Sequence, residues 1–341
     1  MADKDFNVQH EDFREYHDEL ASVAGDLLAK EREVGWAILV DAGWAGMEVP
    51  EQLGGAGATF AESAVILNQI GRAAGTNSYL GAAVLTVGLL KSLPHSETRD
   101  QLLTAVAGDD SRLSVVIGDF AIDGDRLSGR AQFVPDAVGA HRLLVITDSG
   151  VAVVPSAGLT VAAQPVVDET RRLAGVTADA AVVDVLLPFG DEPAAAVRAL
   201  EDRAAVAIAC DSLGLAERML SATVDYVKVR HQFGRPIGSF QAVKHACADM
   251  LVRIEVSRQL VDDAVAVVSE DGDTGVVAAM AKSYACSAAV DVAGKAMQLH
   301  GGIGYTWESG IHTYLKRAAL NRSLFGSPAA QRQRLARRYL R

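Results

Sequence analysis

From Phe240 to Val268 the apolar residues Phe240, Val243, Cys247, Met250, Ile254, Val261, Val265 and Val268 fall on one face of a helix, with charged residues between them. A stripe of that length needs other helices to cover it, so it specifies a helical bundle. The neighbours it requires are in the chain. The spacing predicts one long helix over 193–229, ended by a break at Gly234-Arg235-Pro236-Ile237-Gly238, and another over 274–299 after a polar turn at Asp271-Gly272-Asp273. A further helix runs to about residue 322. Ser327 and Pro328 then form an N-cap and first-turn pair for a last helix, whose arginines, Arg332 to Arg341, suit the negative end of its dipole.

The N-terminal part is also helical, with an amphipathic pattern over 13–39, a glycine-dense loop over 41–59, and helices over 60–74, 80–91 (stopped by Pro94) and up to about 107. After Gly108 the texture changes. Residues 113–117, 131–134, 142–147, 151–154 and 181–187 are short, β-branched and bounded by Gly, Asp or Pro, which predicts a small β-domain. The expectation is a mainly α chain with a central small β-domain: 1–112 helical, 113–190 β, and 191–341 a helical bundle.

Composition narrows the function. A formal charge of −11 argues against an electrostatic hold on nucleic acid or an anionic membrane surface. Cys210, Cys247 and Cys286 lack paired spacing and lie in apolar periodic segments, which predicts reduced core thiols. The N-terminus has no apolar signal core, and runs such as 82–90 are too short to cross a bilayer, so a cytoplasmic location is expected. The eight histidines show no metal-ligand spacing, and His245 and His300 read as packing or polar-contact residues. There is no Rossmann fingerprint, no P-loop and no nucleophile elbow.

Three motifs remain. The first is the loop over 43–57, GWAGMEVPEQLGGAG. The second is Arg230-His231-Gln232-Phe233-Gly234-Arg235-Pro236-Ile237-Gly238-Ser239-Phe240-Gln241, followed by Ala248-Asp249-Met250. The third is Gln298-Leu299-His300-Gly301-Gly302-Ile303-Gly304-Tyr305. An arginine offers charge-assisted bonds to phosphate oxygens, and paired glycines let backbone amides approach closely, so the second and third motifs suit a dinucleotide pyrophosphate. In this order and on bundle helices, the motifs resemble the acyl-CoA dehydrogenase family across nearly the whole chain. The resemblance implies the family fold, with a helical N-terminal domain, a β-barrel-like middle domain and a C-terminal four-helix bundle, and it implies FAD as cofactor. It also implies that Arg230, Gln232, Phe233, Gly234, Gln298, Gly301 and Gly302 contact the FAD held by a neighbouring subunit.

The family reaction needs a glutamate to remove the α-proton of an acyl-CoA thioester. The segment matching the family's "YEGT" is Leu324-Phe325-Gly326-Ser327, which places Phe325 at the base position. The alternative base position, counted back along the first bundle helix, holds Ala204. The nearby acids Glu201, Asp202 and Asp211 read as solvent-facing residues that complement a helix start. The segments matching the family's flavin-face loops are Val115 to Phe120 and Phe133-Val134-Pro135-Asp136, from which the family's hydroxyls and indole are missing. No catalytic residue is therefore assigned. The resemblance extends to the family's heteromeric α2β2 branch, some of whose members act on steroid side-chain CoA thioesters, and implies a non-catalytic subunit working with a paralogous partner that carries the glutamate. Two alternatives stay open: a self-sufficient homotetramer with Glu201 or Asp202 as a relocated base, and a flavin-free binding or assembly protein on this fold.

Overall fold

The computed structural model describes the backbone of residues 2–108 and 111–339 and the side chains of 16–108 and 111–337; the side chain of Arg338 and the whole of Arg341, both expected to serve the last helix dipole, lie outside that description. Two helices stand where one was expected over 13–39. Helix α1 (Ala2–Lys30) ends, and α2 (Trp36–Asp41) starts after Gly35. Between them the Val34 amide donates to the Thr76 carbonyl at 2.8 Å and the Thr76 amide to the Arg32 carbonyl at 2.6 Å. That long-range pairing, invisible to helical periodicity, breaks the helix.

The glycine-dense loop folds back on itself, with the amides of Ala56, Gly57 and Ala58 donating to the carbonyls of Gly46, Val49 and Met47. Thr59 and Glu62 then form a capping box for α3 (Phe60–Ala73). The helix expected over 80–91 opens as a π-helical turn (Tyr79–Leu85) and becomes α4 (Thr86–Ser92) before Pro94. Its irregularity has a cause. The Gly81 amide donates to the Asp136 carboxylate and the Thr86 hydroxyl to the Gly81 carbonyl, both at 2.8 Å. Helix α5 (Glu97–Gly108) follows.

The middle of the chain forms β1 (Leu113–Val116), β2 (Asp119–Asp123), β3 (Arg126–Pro135), β4 (Arg142–Thr147), β5 (Gly150–Pro155), β6 (Thr160–Ala163), β7 (Leu173–Val182) and β8 (Val185–Leu187). They make two four-stranded sheets, ordered β1-β4-β5-β8 and β2-β3-β7-β6, with only the β1–β4 pair parallel. In the first sheet Leu143, Val145, Ala152 and Val154 enter a small core shared with the second sheet, whereas Leu144, Ile146, Val151 and Val153 enter the main helical core. Burial on both faces is why these strands read as continuous apolar runs. The second sheet exposes one face, and its alternating β2, the short β6 and most of β7 were not expected. The single strand expected over 181–187 divides instead between β7 and β8, in different sheets.

The C-terminal part comprises α6 (Pro193–Val229), a tight hairpin of β9 (His231–Gln232) and β10 (Arg235–Pro236), α7 (Gln241–Ser269), α8 (Gly275–His300), α9 (Ile311–Ser323) and α10 (Pro328–Tyr339). On α7 the stripe is buried at Met250, Ile254, Val261 and Val268, while Phe240, Val243, Cys247 and Val265 are half-buried at its edges; His245 is exposed rather than packed. Cys247 is thus not a core thiol, unlike Cys210 and Cys286. Helix α8 packs against α6, α7, α9 and α10. The segment Gly275–Tyr305 is long and apolar enough to cross a membrane, contrary to the expectation from run lengths. Here that apolarity serves burial on several sides within the bundle.

One ionic cluster ties the parts together. Asp211 on α6 accepts from Arg317 Nη2 at 2.5 Å and from Asn321 Nδ2 at 2.6 Å and pairs with Arg171 at 3.1 Å, while Arg317 Nη1 donates to Thr170 Oγ1 and to the Gly75 carbonyl. Asp211 and Arg317 are each 1% exposed. The reading of Asp211 as solvent-facing is therefore corrected. Its helix runs through the centre of the molecule, where an unpaired carboxylate would be prohibitively costly.

Candidate functional site

The predicted cofactor residues gather at one end of the bundle. Tyr226, one turn before Arg230, stacks on His300 with ring centroids 4.3 Å apart and donates to its carbonyl at 3.3 Å. His300 also bonds the Ala296 carbonyl through Nδ1 at 2.8 Å. This contact joins the end of α6, carrying Arg230, to the end of α8, carrying Gln298, Gly301 and Gly302.

Arg230 closes α6 in extended backbone, and its carbonyl accepts from the Ile237 amide at 2.8 Å. The hairpin that follows pairs Gln232 with Arg235 and His231 with Pro236, leaving Phe233 and Gly234 as its two-residue turn, both at positive φ (53° and 79°). Phe233 is 92% exposed. A phenylalanine held in left-handed backbone with its ring in water is unfavourable twice over, unless something outside this chain covers it. Gly301 ends α8 at φ 61°, and a Cβ added at Gly301, Gly302 or Gly234 would meet nothing within 4 Å. The backbone there is open. Gln298 is held by Lys295, whose Nζ donates to Oε1 at 2.9 Å. Ile303, Tyr305 and Trp307 extend the exposed apolar surface.

The segments matched to the flavin face and the base converge elsewhere, on a cavity of about 620 Å³ lined by Val115, Ile117, residues 132–135, 323–326, α10 and the start of α6. Phe325 stands in its wall at φ 50°. Its loop is fixed from behind by the buried Lys282, whose Nζ donates to the carbonyls of Asn321 at 2.8 Å and Gly326 at 3.1 Å. Burial pushes the Lys282 pKa down. Phe133 also lines the cavity, half-exposed at φ 58°, with its amide donating to Gln164 Oε1 at 2.6 Å.

The acidic candidates separate. Ala204 is fully buried, and Asp202 faces inward at 3% exposure, pairing with Arg334 at 2.7 Å and accepting from Thr274 Oγ1 at 3.0 Å. Asp202 is a structural carboxylate, not a solvent-facing one. Glu201 lines the cavity, and burial, against the pull of Arg334, raises its pKa. It is the one carboxylate among the cavity residues.

Several residues in these arrangements escaped the sequence reading. Lys282 and Asp211 were visible as single charges within apolar helical runs, which signals a buried ion needing partners. Nothing in the sequence identified those partners.

The family model for the acyl-CoA dehydrogenase N-terminal domain matches residues 10–110, and that for the C-terminal domain matches residues 195–340. The acyl-CoA dehydrogenase IpdE2 of Mycolicibacterium smegmatis is 34% identical over 315 residues, covering 90% of each chain. Among solved structures, the Tcur3481-Tcur3483 steroid ACAD superposes with a TM-score of 0.83 at 29% identity, over 94% of this chain and 97% of that one. The ChsE4-ChsE5 complex from Mycobacterium tuberculosis superposes with a TM-score of 0.86 at 26% identity, over 95% and 97%. By sequence over nine-tenths of its length and by fold, the chain belongs to the acyl-CoA dehydrogenase family of FAD-binding oxidoreductases.

Proposed function

We propose that this chain is the non-catalytic subunit of an α2β2 acyl-CoA dehydrogenase, which completes the FAD site of a paralogous subunit carrying the glutamate base. The observation that carries this reading is the asymmetry between its two surfaces. The end of the bundle presents Arg230, Gln232, Phe233, Gly234, Gln298, Gly301 and Gly302 outward, with open backbone and an uncovered ring. Its own cavity has Phe325 where a carboxylate is needed and aliphatic side chains where flavin-face hydroxyls are needed.

The fit to FAD therefore differs between the two places. At the bundle end, a guanidinium, an amide side chain and glycine backbone that no neighbouring side chain covers suit a pyrophosphate, and Phe233 supplies an apolar cover. At the cavity, Val115, Ile117 and Phe133 offer no polar group to a flavin ring. Bound FAD supplies the hydride acceptor of the reaction. This chain's residues would hold its ADP half and shield it from water, while the partner positions the thioester and takes the proton. The solved relative named a steroid ACAD supports steroid side-chain CoA thioesters as the substrate class, and the ChsE4-ChsE5 complex supports pairing with a paralogue. We place the assembly in the cytoplasm.

Co-expression with the paralogous subunit tests the reading. Substituting Arg230→Ala removes charge-assisted phosphate bonds and is expected to weaken FAD retention by the assembly about tenfold or more, with the subunits still associated. Stoichiometric flavin and thioester turnover by the isolated chain would overturn the proposal. Glu201 supports a second reading, the self-sufficient enzyme, because it is a carboxylate facing the cavity with a raised pKa. In that case Glu201→Gln abolishes turnover by the isolated chain; in the first case there is no such turnover to lose.

A further inference from the structure

The cavity is divided by chemistry. Its apolar lining, Leu85, Val115, Ile117, Val134, Leu324 and Phe325, is buried or half-buried, and its basic lining, Arg198 from α6 and Arg334 and Arg337 from α10, is more exposed, with Gln132, Ser323, Gln331 and Gln333 as neutral polar groups. In a chain of net charge −11, three guanidiniums lining one cavity run against the overall field. Complementing the dipole of α10 does not account for the arrangement. A dipole asks for cations near a helix end and not for a common direction, and Arg198 comes from a different helix.

The three arginines are not equally engaged. Arg334 is held by Asp202 at 2.7 Å and donates to Gln331 Oε1 at 3.2 Å. Among the described residues no hydrogen bond or ion pair engages the side chain of Arg198 or of Arg337. Three arginines of the lining stand against two carboxylates, Glu201 in the lining and Asp202 paired with Arg334, which leaves one positive charge in excess among them. That balance suits a monoanion and disfavours the several charges of a nucleotide. A volume of about 620 Å³ falls within the usual range for small-molecule sites.

We propose that this cavity binds a bulky apolar monocarboxylate, with its hydrocarbon body against Val115, Ile117 and Phe325 and its carboxylate between Arg198 and Arg337. A guanidinium presents paired donors that match carboxylate geometry, and two of them beside an apolar surface supply both affinity and orientation. The ligand class is a free acid and not a CoA thioester, because a thioester places no charge beside its acyl group. The site is separate from the bundle end assigned to the shared cofactor. It does not depend on that assignment, although a self-sufficient enzyme would need this same space for its own flavin.

Calorimetric titration of the full chain with adamantane-1-carboxylate, and with the neutral adamantane-1-carboxamide as control, tests the proposal. The carboxylate is expected to bind saturably at one site per chain, about tenfold or more tighter than the amide. The double variant Arg198→Gln/Arg337→Gln, altered at two exposed positions, is expected to remove that preference while leaving the amide's affinity unchanged. Ala330→Trp, on an exposed helix position that lines the cavity, is expected to abolish binding of both probes with the thermal melt retained. Equal affinity for acid and amide, wild-type binding by the double variant, or no saturable binding would each overturn the proposal. So would a flavin absorbance band in the purified chain that Ala330→Trp removes, since the space would then be the cofactor's own. FAD content of the assembly after Arg230→Ala is read independently, so failure here and failure of the subunit assignment are distinguishable.

Discussion

Asp136 and Asp211 are both buried carboxylates, yet their surroundings push them in opposite directions. Burial raises Asp136 to about 6, against the Gly81 amide bond and the more distant Arg171, Arg112 and Arg172. The folded protein therefore keeps a proton that the unfolded chain releases near pH 4, and stability falls as pH rises from about 4 through 6. For Asp211, burial also raises the pKa, but Arg171 and Arg317, with bonds from Arg317 and Asn321, outweigh it and hold it at about 2. Its contribution is present above about pH 4 and is lost as pH falls towards 2. Asp136→Asn should flatten the decline between pH 4 and 6 in urea unfolding and leave the acid limb in place; an unchanged profile would refute the assignment. Asp211→Asn, or Arg317→Met, strands a buried ionic partner and should cost about 3–5 kcal/mol in the same measurement. The residue types were readable in the sequence, but the sign of each effect was not, because it depends on arginines and amides tens of residues away.

At the scale of elements, the crossing of α3 and α6 depends on two glycines. A Cβ at Gly71 would collide with the Asp211 carbonyl oxygen, and one at Gly214 with the Asn68 carbonyl oxygen. Both contacts are with backbone, which cannot swing aside. Gly214→Ala, although favourable to an isolated helix, should destabilise the protein by roughly 1–3 kcal/mol, read as a lower thermal midpoint; a neutral or raised midpoint would contradict the packing. The long helices were legible because their periodicity is local, and α6 begins at the Pro193 and ends at the Val229 that the pattern marks. The π-helical turn at Tyr79–Leu85 was not legible, since its geometry follows from Asp136, 55 residues away. Nor was the split of residues 181–187 between two sheets, because strand pairing is decided by partners and not by propensity.

Across the described residues, the most exposed of the large apolar side chains lie at the bundle end. Phe233, Tyr305 and Trp307 are 92%, 71% and 75% exposed, whereas Trp44 is buried and Trp36 half-buried. Assembly around a shared cofactor should therefore blue-shift or quench Trp307 emission, and Trp307→Phe should remove that change; emission unaffected by the partner and FAD would count against the proposed interface. Leu251, Val252 and Val256 on α7 are further exposed apolar side chains. The amino-acid sequence by itself determined the helix–sheet–helix order, the two glycine-bearing motifs and the presence of Phe325 where the family resemblance places a base, because each depends on local periodicity or on the identity of a residue. Tertiary structure decided that Asp202 and Asp211 are structural, and that Glu201, Arg198 and Arg337 line one cavity. Burial and the facing of side chains from distant segments are properties of packing, which one-dimensional spacing does not encode.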